Sequence, residues 1–424
     1  MQLIKTMTYL SLASSLLLFS CSQRAVQGLA SSDVQSKLNG FANATSKGLS
    51  REEAKALQIA SDSIVRAQLT NELQSPWQDR KFTAGDKIMP FATETYGDKP
   101  ADGRSLYISL HGGGNAPAEV NDGQWKNQIR MTSDQPKMYN IPEGVVIVPR
   151  APVNDWNMWF QQEMDDLLKK SIQAAVLFAD VNPNKVYIMG YSAGGDGVYR
   201  LASRMADYWA AASMSAGHPG EITPLNLNNI GFALNMGGRD TPFNRAGLAA
   251  EWKIRLYELA KEHPGQYIHQ VNIFDDLPHW MNMQDKIAIP FMANFVRNPY
   301  PNEIVWVQNA VHPHNRFYWI GISDEDTIKP GVADKEDQAI RIRKEGNHIQ
   351  IIQNYADNLS IYLNDEVVNL DEEVTISYQG TTLFKGKVNR KQSIIEETAK
   401  DRQDSAYIFS AKLTVLNNAT VEVQ

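Results

Sequence analysis

The sequence predicts a doubly wound, mostly parallel α/β sheet that is followed by a C-terminal all-β, sandwich-like domain. Three observations predict it. Continuous apolar runs alternate with amphipathic stretches over 86–298, the alternation stops after Pro299-Tyr300-Pro301, and short strand-like runs between turn signals fill 299–424. Apolar runs separated by helices are typical of parallel strands that are covered on both faces. Short strands punctuated by turns are typical of a sandwich.

The composition is that of an ordinary globular protein of more than one domain. The chain has 424 residues, of which 43% are hydrophobic and 21% charged, and its formal net charge is −7. This length corresponds to two or three domains. The basic residues do not cluster along the sequence, so we expect no nucleic-acid partner. There is one cysteine and no Cys/His cluster with zinc-site spacing, so we expect neither a metal nor another cofactor.

The N-terminus has the pattern of an export signal that ends in a lipidation site. An apolar run too short to span a bilayer as a stable helix ends in Leu18-Phe19-Ser20-Cys21. These residues resemble a bacterial lipobox, which implies removal of a signal peptide (1–20) and acylation of Cys21. We therefore expect a lipid-anchored protein of the bacterial cell envelope, at the outer membrane or cell surface, with the leaflet open. An ordinary secretory signal cut near Ala25 or Ala30 is the alternative.

Residues 21–49 are predicted to be a tether, and residues 50–85 an N-terminal helical segment. The tether is rich in Ser, Ala, Asn and Gln and has little periodicity. Ser50 and Glu53 then form a capping-box pattern, in which each side chain can satisfy a backbone donor of the first helical turn. We expect this helix to end by Pro76.

The α/β domain is predicted over 86–298 and the β domain over 299–424. In the α/β domain the predicted strands are 105–110, 145–149, 185–191, 209–215, 231–236 and 267–274, and the predicted helices are 163–180, 193–206, 245–262 and 284–295. In the β domain the predicted strands are 303–307, 316–321, 348–353, 358–363, 373–378, 381–388, 406–415 and 419–423.

The first motif that carries chemistry is Gly190-Tyr191-Ser192-Ala193-Gly194, a G-x-S-x-G pattern. It follows an apolar strand and opens a helix-like stretch. A serine on such a sharp turn projects above the sheet, and small neighbours avoid clashes there. The helix N-terminus also favours negative charge nearby. The motif therefore predicts Ser192 as a nucleophile.

The second motif, His111-Gly112-Gly113-Gly114, follows the predicted strand 105–110. A hydrolase needs backbone N–H groups aimed at the oxyanion that develops during reaction, and glycine lets the backbone approach closely. The predicted oxyanion donors are the amides of Ala193 and of Gly113 or Gly114.

A nucleophilic serine needs a base, and the base needs an orienting carboxylate. His279 follows a predicted strand and precedes a predicted helix, where a loop above the sheet would place the base. Asp240 follows the penultimate strand of the sheet and is the predicted acid. The rivals that the sequence leaves open are His218 for the base, and Asp275, Asp276 and Glu221 for the acid.

Together these residues resemble the α/β-hydrolase superfamily, particularly secreted esterases similar to polyhydroxybutyrate depolymerases, dienelactone hydrolases and prolyl oligopeptidase catalytic domains. The resemblance covers residues 86–298 and leaves out the tether and the β domain. It implies Ser192 as nucleophile, His279 as general base and then acid, and Asp240 as its orienter. It further implies carboxylic-ester hydrolysis through an acyl-enzyme. Membership of the superfamily does not fix the substrate.

Two features of the sequence bear on the substrate. The stretch 216–230 between two predicted strands is too short for a large lid, so we expect an open site suited to bulky or polymeric esters. Aromatic residues after another strand end suit sugar rings or aryl groups, although packing of that loop onto the sheet is the alternative. The predicted pocket residues are His111, Trp156, Trp159, His218 and Trp280.

Two other functions remain open from the sequence. One is a serine peptidase of the prolyl oligopeptidase type. The other is a catalytically silent surface lipoprotein whose β domain binds a glycan or a partner. The role of the β domain and the oligomeric state are open as well.

Overall fold

The computed structural model describes residues 48–133, 138–309, 312–327 and 339–424. The predicted signal peptide, the lipidation site Cys21 and the tether up to residue 47 lie outside the described residues. The chain divides into two compact units. Among the described residues, one unit comprises 48–65 and 389–411, and the other comprises those between 66 and 388 together with 412–424.

The first unit contains the predicted capping box. The Ser50 N–H donates to Glu53 Oε2 at 2.8 Å, and the Glu53 N–H donates to Ser50 Oγ at 3.2 Å, so the capping box is confirmed. The helix that it starts, α1, runs over Arg51–Gln78 and therefore passes Pro76. Proline removes one backbone bond, and this loss is small where only two residues follow before the helix ends.

The first unit also contains a helix that was not predicted from the sequence. It covers Gln392–Arg402 and buries Ile394, Ile395, Thr398, Ala399 and Arg402, which is a helical spacing. The Phe409 N–H donates to Thr398 Oγ1 at 2.9 Å. The strand predicted over 406–415 begins only at Ala411, because a 3-10 turn occupies Ser405–Tyr407.

The second unit is built around an eight-stranded sheet. Its strands are β1 (Lys81–Ala84), β2 (Lys87–Tyr96), β3 (Arg104–Leu110), β4 (Gly144–Pro149), β5 (Val181–Tyr191), β6 (Ala211–Ser215), β7 (Gly231–Gly237) and β8 (His269–Phe274). Its helices are α2 (Ala118–Thr132), α3 (Glu163–Phe178), α4 (Ala193–Arg204), α5 (Arg245–Glu262) and α6 (Ala288–Met292).

The sheet is mixed and mostly parallel, in the order β1-β2-β4-β3-β5-β6-β7-β8. β1 pairs antiparallel with β2, and β2 with β4, whereas the remaining neighbours are parallel. The doubly wound α/β prediction is confirmed. The sequence pattern missed the β1–β2 hairpin, part of which lies in the stretch predicted to be helical, and it missed α2. α2 is rich in polar residues, and β1 and β2 mix polar with apolar residues, which weakens the periodicity that the prediction relied on.

The strand register brings the chemical motifs to one edge of the sheet. Leu110 pairs with Gly190, and Tyr191 pairs with Ser215, so the carboxyl ends of β3, β5 and β6 meet. Gly237 pairs with Phe274 at the corresponding ends of β7 and β8. Loops that leave these ends therefore start side by side, as in other open α/β sheets that carry a site at this edge.

The C-terminal part of the second unit consists of strands. Its strands are β9 (Glu303–Trp306), β10 (Arg316–Phe317), β11 (Ile320–Ile322), β12 (Ile340–Glu345), β13 (His348–Gln353), β14 (Asn358–Leu363), β15 (Val374–Tyr378), β16 (Thr381–Gly386), β17 (Ala411–Leu416) and β18 (Thr420–Val423). Two five-stranded sheets result, ordered β10-β11-β14-β17-β18 and β16-β15-β13-β12-β9. Trp306 and Phe317 stack across them with ring centroids 5.4 Å apart. We term this region the β module.

The two sheets of the β module agree with the strands that the sequence predicted for this region, except that β12 was not predicted. β12 reads Ile-Arg-Ile-Arg-Lys-Glu, an alternation that itself indicates a half-buried strand. In the described part of the chain, no helix is both long enough and apolar enough to cross a membrane.

Candidate active site

The site begins at a sharp turn between β5 and α4. Ser192 lies between them with φ 58° and ψ −120°, which is backbone geometry that a residue with a side chain rarely adopts. Two hydrogen bonds hold it there. Its N–H donates to the Ser215 carbonyl at 2.9 Å, and its carbonyl accepts the Asp196 N–H at 2.9 Å.

Glycines around Ser192 let three backbone segments approach one another. A Cβ on Gly195 would lie 2.5 Å from the Ser215 carbonyl oxygen. A Cβ on Gly194 would come still closer to the carbonyl oxygen of Leu110. The turn therefore requires glycine at these positions, because the blocking atoms belong to the backbone and cannot rotate away.

Ser192, His279 and Asp240 form one hydrogen-bonded chain. His279 Nε2 lies 3.0 Å from Ser192 Oγ, and His279 Nδ1 lies 2.6 Å from Asp240 Oδ2. Asp240 is 1% exposed, whereas the His279 side chain is 41% exposed. A carboxylate can only accept here, so Nδ1 carries the proton and Nε2 is free to accept from the serine hydroxyl.

Two of the three carboxylates that the sequence left open as alternatives to Asp240 form ion pairs elsewhere. Glu221 pairs with Arg200 at 3.0 Å, and Asp276 pairs with Arg239 at 2.6 Å. Asp275 is exposed. The sequence left these carboxylates open, and the structure places Asp240 alone among them against His279.

His218 also lies outside the hydrogen-bonded chain. Its ring Nδ1 accepts the Gly220 N–H at 2.9 Å, and its backbone N–H donates to Asp196 Oδ1 at 2.6 Å. Burial lowers the pKa of this ring below its ordinary value. His218 thus stabilises the loop after β6, and its ring stays half-buried beside it.

The turn that carries His279 is held by a residue that the sequence did not single out as functional. The Tyr191 hydroxyl donates to the His279 carbonyl at 2.6 Å and accepts the Met281 N–H at 2.9 Å. Tyr191 was visible only as the second residue of the G-x-S-x-G motif. Motif spacing gives no information about a partner that is distant in sequence.

The predicted oxyanion donors differ in whether their N–H groups are already hydrogen-bonded. Ala193 is the first residue of α4, so its N–H has no partner within the helix. The Gly114 N–H donates to Asn121 Oδ1 at 2.8 Å and is therefore engaged. Of the two alternatives in the glycine loop, Gly113 is left as the candidate donor. Asn121 is fully buried and also donates to the Ala116 carbonyl at 2.9 Å, which fixes the loop.

Two of the predicted pocket residues lie beneath the glycine loop and do not line a pocket. His111 and Trp159 are both fully buried. His111 Nε2 accepts the Ala151 N–H at 3.1 Å, its Nδ1 donates to the Gly112 carbonyl at 2.6 Å, and burial lowers its pKa to about 4. The Trp159 indole N–H donates to the His111 carbonyl at 2.8 Å. The pocket prediction is wrong for both, because a polar aromatic after a strand end can equally well support a loop from below.

The other two aromatic predictions lie at the surface beside the site. Trp156 is 62% exposed and Trp280 is 44% exposed, while the seven other tryptophans are buried or half-buried. A Cβ on Gly114 would lie 3.4 Å from Trp156 Cα, which places Trp156 against the glycine loop. The Trp280 ring lies 5.6 Å from the Tyr191 ring, next to His279.

A buried ionic cluster supports the loop that carries Trp156 and Trp159. Arg204 donates to both oxygens of Asp165 from its Nε at 2.9 Å, and His314 Nε2 lies 2.7 Å from Asp165 Oδ2. His312, also from the β module, lies 2.9 Å from the Phe160 carbonyl. Burial alone would raise the pKa of Asp165, but Arg204 and His314 lower it to about 2.

No family model matches the chain, and no curated protein matches it. Among solved structures, a thermostable esterase matches at 17% identity with a TM-score of 0.40, over 51% of this chain and 62% of that one. FphF, a fluorophosphonate-binding serine hydrolase of Staphylococcus aureus, matches at 13% identity with a TM-score of 0.32, over 49% of this chain and 99% of that one. A ferulic acid esterase matches at 14% identity with a TM-score of 0.33, over 48% and 97%.

These likenesses cover about half of this chain and, for the thermostable esterase, less than two thirds of the other. At these identities and TM-scores they establish neither a family nor an activity for this chain. What the structure itself establishes for the second unit is the eight-stranded, mixed and mostly parallel sheet with its helices. No group of three or more metal-binding side chains is found in the ranges that the structure describes.

Proposed function

We propose that the chain is a serine hydrolase that cleaves carboxylic esters through an acyl-enzyme on Ser192. One observation carries this proposal: Ser192 Oγ, the His279 ring and the Asp240 carboxylate are hydrogen-bonded in series, at 3.0 Å and 2.6 Å. This is the arrangement that activates a serine hydroxyl.

The proposed reaction has two steps. Ser192 Oγ attacks the ester carbonyl carbon while His279 Nε2 takes the hydroxyl proton, and the oxyanion accepts N–H bonds from Ala193 and Gly113. The tetrahedral intermediate then expels the alcohol, which receives that proton from His279, and the acyl group stays on Ser192. Water next attacks the acyl-enzyme with His279 again as base, and the acid leaves as Ser192 regains its proton.

Asp240 orients the base during both steps. Its buried carboxylate accepts the Nδ1 proton and stabilises the imidazolium that forms transiently. Because His279 is partly exposed while Asp240 is buried, the base can reach a substrate and its orienter is shielded from water.

The test is covalent labelling by a fluorophosphonate probe beside Ser192→Ala. We expect the probe to label the wild-type protein and not the variant. We likewise expect the wild-type protein to hydrolyse p-nitrophenyl acetate and the variant not to do so. A folded wild-type protein that takes up no probe would rule out the proposal and favour a binding protein. Cleavage of peptides but not of esters would favour a peptidase.

We further propose that the ester is bulky and linked to a carbohydrate or polymer. The loop over 216–230 is short, and two tryptophans near the site are exposed: Trp156 against the glycine loop and Trp280 next to His279. Exposed tryptophan is costly to maintain in water and is suited to stacking on flat rings.

The substrate proposal is tested with acetylated polysaccharide and p-nitrophenyl acetate in parallel. For Trp156→Ala and Trp280→Ala we expect KM on the polysaccharide to rise about threefold to tenfold, which corresponds to the loss of one aromatic contact. Turnover of the small ester should not change. Tyr257→Ala, at an aromatic residue exposed on α5, is the matched control. An unchanged KM on the polysaccharide in both tryptophan variants would refute the proposal that these residues bind a bulky substrate.

We also propose that Cys21 is lipidated and holds the protein to the bacterial cell envelope. The support is the Leu-Phe-Ser-Cys sequence at 18–21. Two or three acyl chains, at about 0.8 kcal/mol per buried CH₂, would suffice for stable anchoring. Globomycin should block processing, and Cys21→Ser should release the protein from the membrane fraction. Unchanged processing would exclude a lipoprotein signal.

A further inference from the structure

The Tyr191 hydroxyl connects the nucleophile's turn to the turn that carries the base. Tyr191 is the last residue of β5 and directly precedes Ser192. Its hydroxyl donates to the His279 carbonyl at 2.6 Å and accepts the Met281 N–H at 2.9 Å. It therefore contacts the backbone on both sides of Trp280.

The Tyr191 ring is buried and packed on several sides. Tyr191 is buried in a small cluster with Ala216 and Met281, against Phe274 and Leu277. Burial raises its pKa well above the ordinary value of a phenol, so the hydroxyl keeps its proton and can donate. A rigid buried ring on a central strand is a fixed point against which a loop can be set.

The base, by contrast, lies on a turn that is partly exposed. Pro278 and Trp280 on either side of His279 are exposed, and so is part of the His279 side chain. The His279 ring is bonded to Asp240, and the backbone of the turn is also attached through the Arg239 N–H, which donates to the Leu277 carbonyl at 2.9 Å. That bond lies before His279, so the two bonds of Tyr191 fix the turn at and after the base.

We infer that Tyr191 is a positioning residue for the hydrolysis, through which the same strand end fixes both Ser192 and His279. The inference rests on the proposed function. Because one residue sets both groups, their separation of 3.0 Å does not depend on the mobility of an exposed loop. Misplacement of reacting groups by about 1 Å can cost 10²-fold in rate, so a partial loss of this restraint should reduce kcat and leave substrate binding intact.

Tyr191→Phe is the test, with Tyr187→Phe as its control. Tyr187 lies on the same strand and is also buried, and its hydroxyl donates to the carbonyl of Phe295 at 2.9 Å, a residue that takes no part in the proposed site. Both variants lose one buried tyrosine hydroxyl. We expect Tyr191→Phe to lower kcat and the second-order rate of fluorophosphonate labelling about tenfold with KM unchanged, and Tyr187→Phe to match wild type in all three.

The outcomes separate this inference from the function on which it rests. If the wild-type protein takes up no probe, the proposed function fails. If wild type is labelled and Tyr191→Phe reacts as fast as Tyr187→Phe, the positioning role is refuted. Hydrogen exchange of the wild-type protein gives a reading that does not depend on folding of a variant. The Met281 amide should exchange slowly, and rapid exchange there would refute the restraint.

Discussion

Asp240→Asn tests the proposed site most sharply, because it changes one buried oxygen and little of the shape. In the protein, Asp240 Oδ2 accepts the proton of His279 Nδ1 at 2.6 Å, and its other oxygen lies 3.9 Å from the Arg245 guanidinium. An asparagine can be accommodated in two ways. With its NH₂ towards Arg245 it would face a cation, so we expect it to turn its oxygen to Arg245 and its NH₂ to His279.

That orientation forces the wrong tautomer on His279. Nδ1 must then accept from the amide, so the ring proton moves to Nε2 and faces Ser192 Oγ, 3.0 Å away. The ring can no longer accept the serine proton. A change from carboxylate to amide at this position of a serine triad lowers kcat by about 10⁴, equivalent to about 5.5 kcal/mol of the barrier.

The assay is turnover of p-nitrophenyl acetate together with the rate of fluorophosphonate labelling. Asp276→Asn is the matched control, since Asp276 is an exposed carboxylate paired with Arg239 at 2.6 Å, and we expect it to retain wild-type kcat. KM should change little in either variant. If Asp240→Asn retained more than a tenth of kcat, the role of Asp240 in orienting the base would be refuted.

Three further substitutions test the supporting structure. Gly194→Ala should destabilise the fold by about 1–3 kcal/mol in denaturant unfolding and abolish labelling, because its Cβ would press on the Leu110 carbonyl; wild-type stability would contradict this. Asn121→Ala should lower kcat about tenfold at constant KM, since it frees the loop held at 2.8 Å, and a change in KM alone would contradict this. Asp165→Asn should cost about 3–5 kcal/mol at pH 7 by breaking a buried ion pair. The pKa of Asp165 is lowered to about 2, so the stability that its carboxylate contributes is present above about pH 4 and is lost as pH falls towards 2. The variant should lack this pH-dependent loss of stability in acid unfolding.

The sequence predicted those parts of the site that depend on strand ends and local spacing. Ser192, Asp240 and His279 each follow an apolar strand, and parallel strands in one sheet end at one edge. Their meeting at 3.0 Å and 2.6 Å could therefore be anticipated from order along the chain. The six strands β3 to β8 were each predicted, because their apolar residues alternate along the chain with amphipathic helical stretches.

The contacts that support the site could not be read in this way. A buried histidine such as His111 and a partly exposed one such as His279 look alike in sequence, because burial depends on partners that are distant along the chain. Ala151, which donates to His111, lies beyond the next strand. Trp156 and Trp159 are three residues apart in one aromatic stretch, yet the first is 62% exposed and the second fully buried. Composition could not distinguish them.

This difference in burial separates two kinds of effect that kinetics can resolve. Trp156 and Trp280 contact solvent beside the site, so their removal should act on the affinity for a bulky substrate and appear in KM. Asn121, His111 and Tyr191 are buried, and they hydrogen-bond to the backbone of Gly114, Gly112 and His279 at 2.8, 2.6 and 2.6 Å. Substitutions there should act on the alignment of donor, base and nucleophile, and thus on kcat. If buried and exposed positions gave the same kinetic effect, either the exposed tryptophans would be structural or the buried layer would shape the substrate site directly.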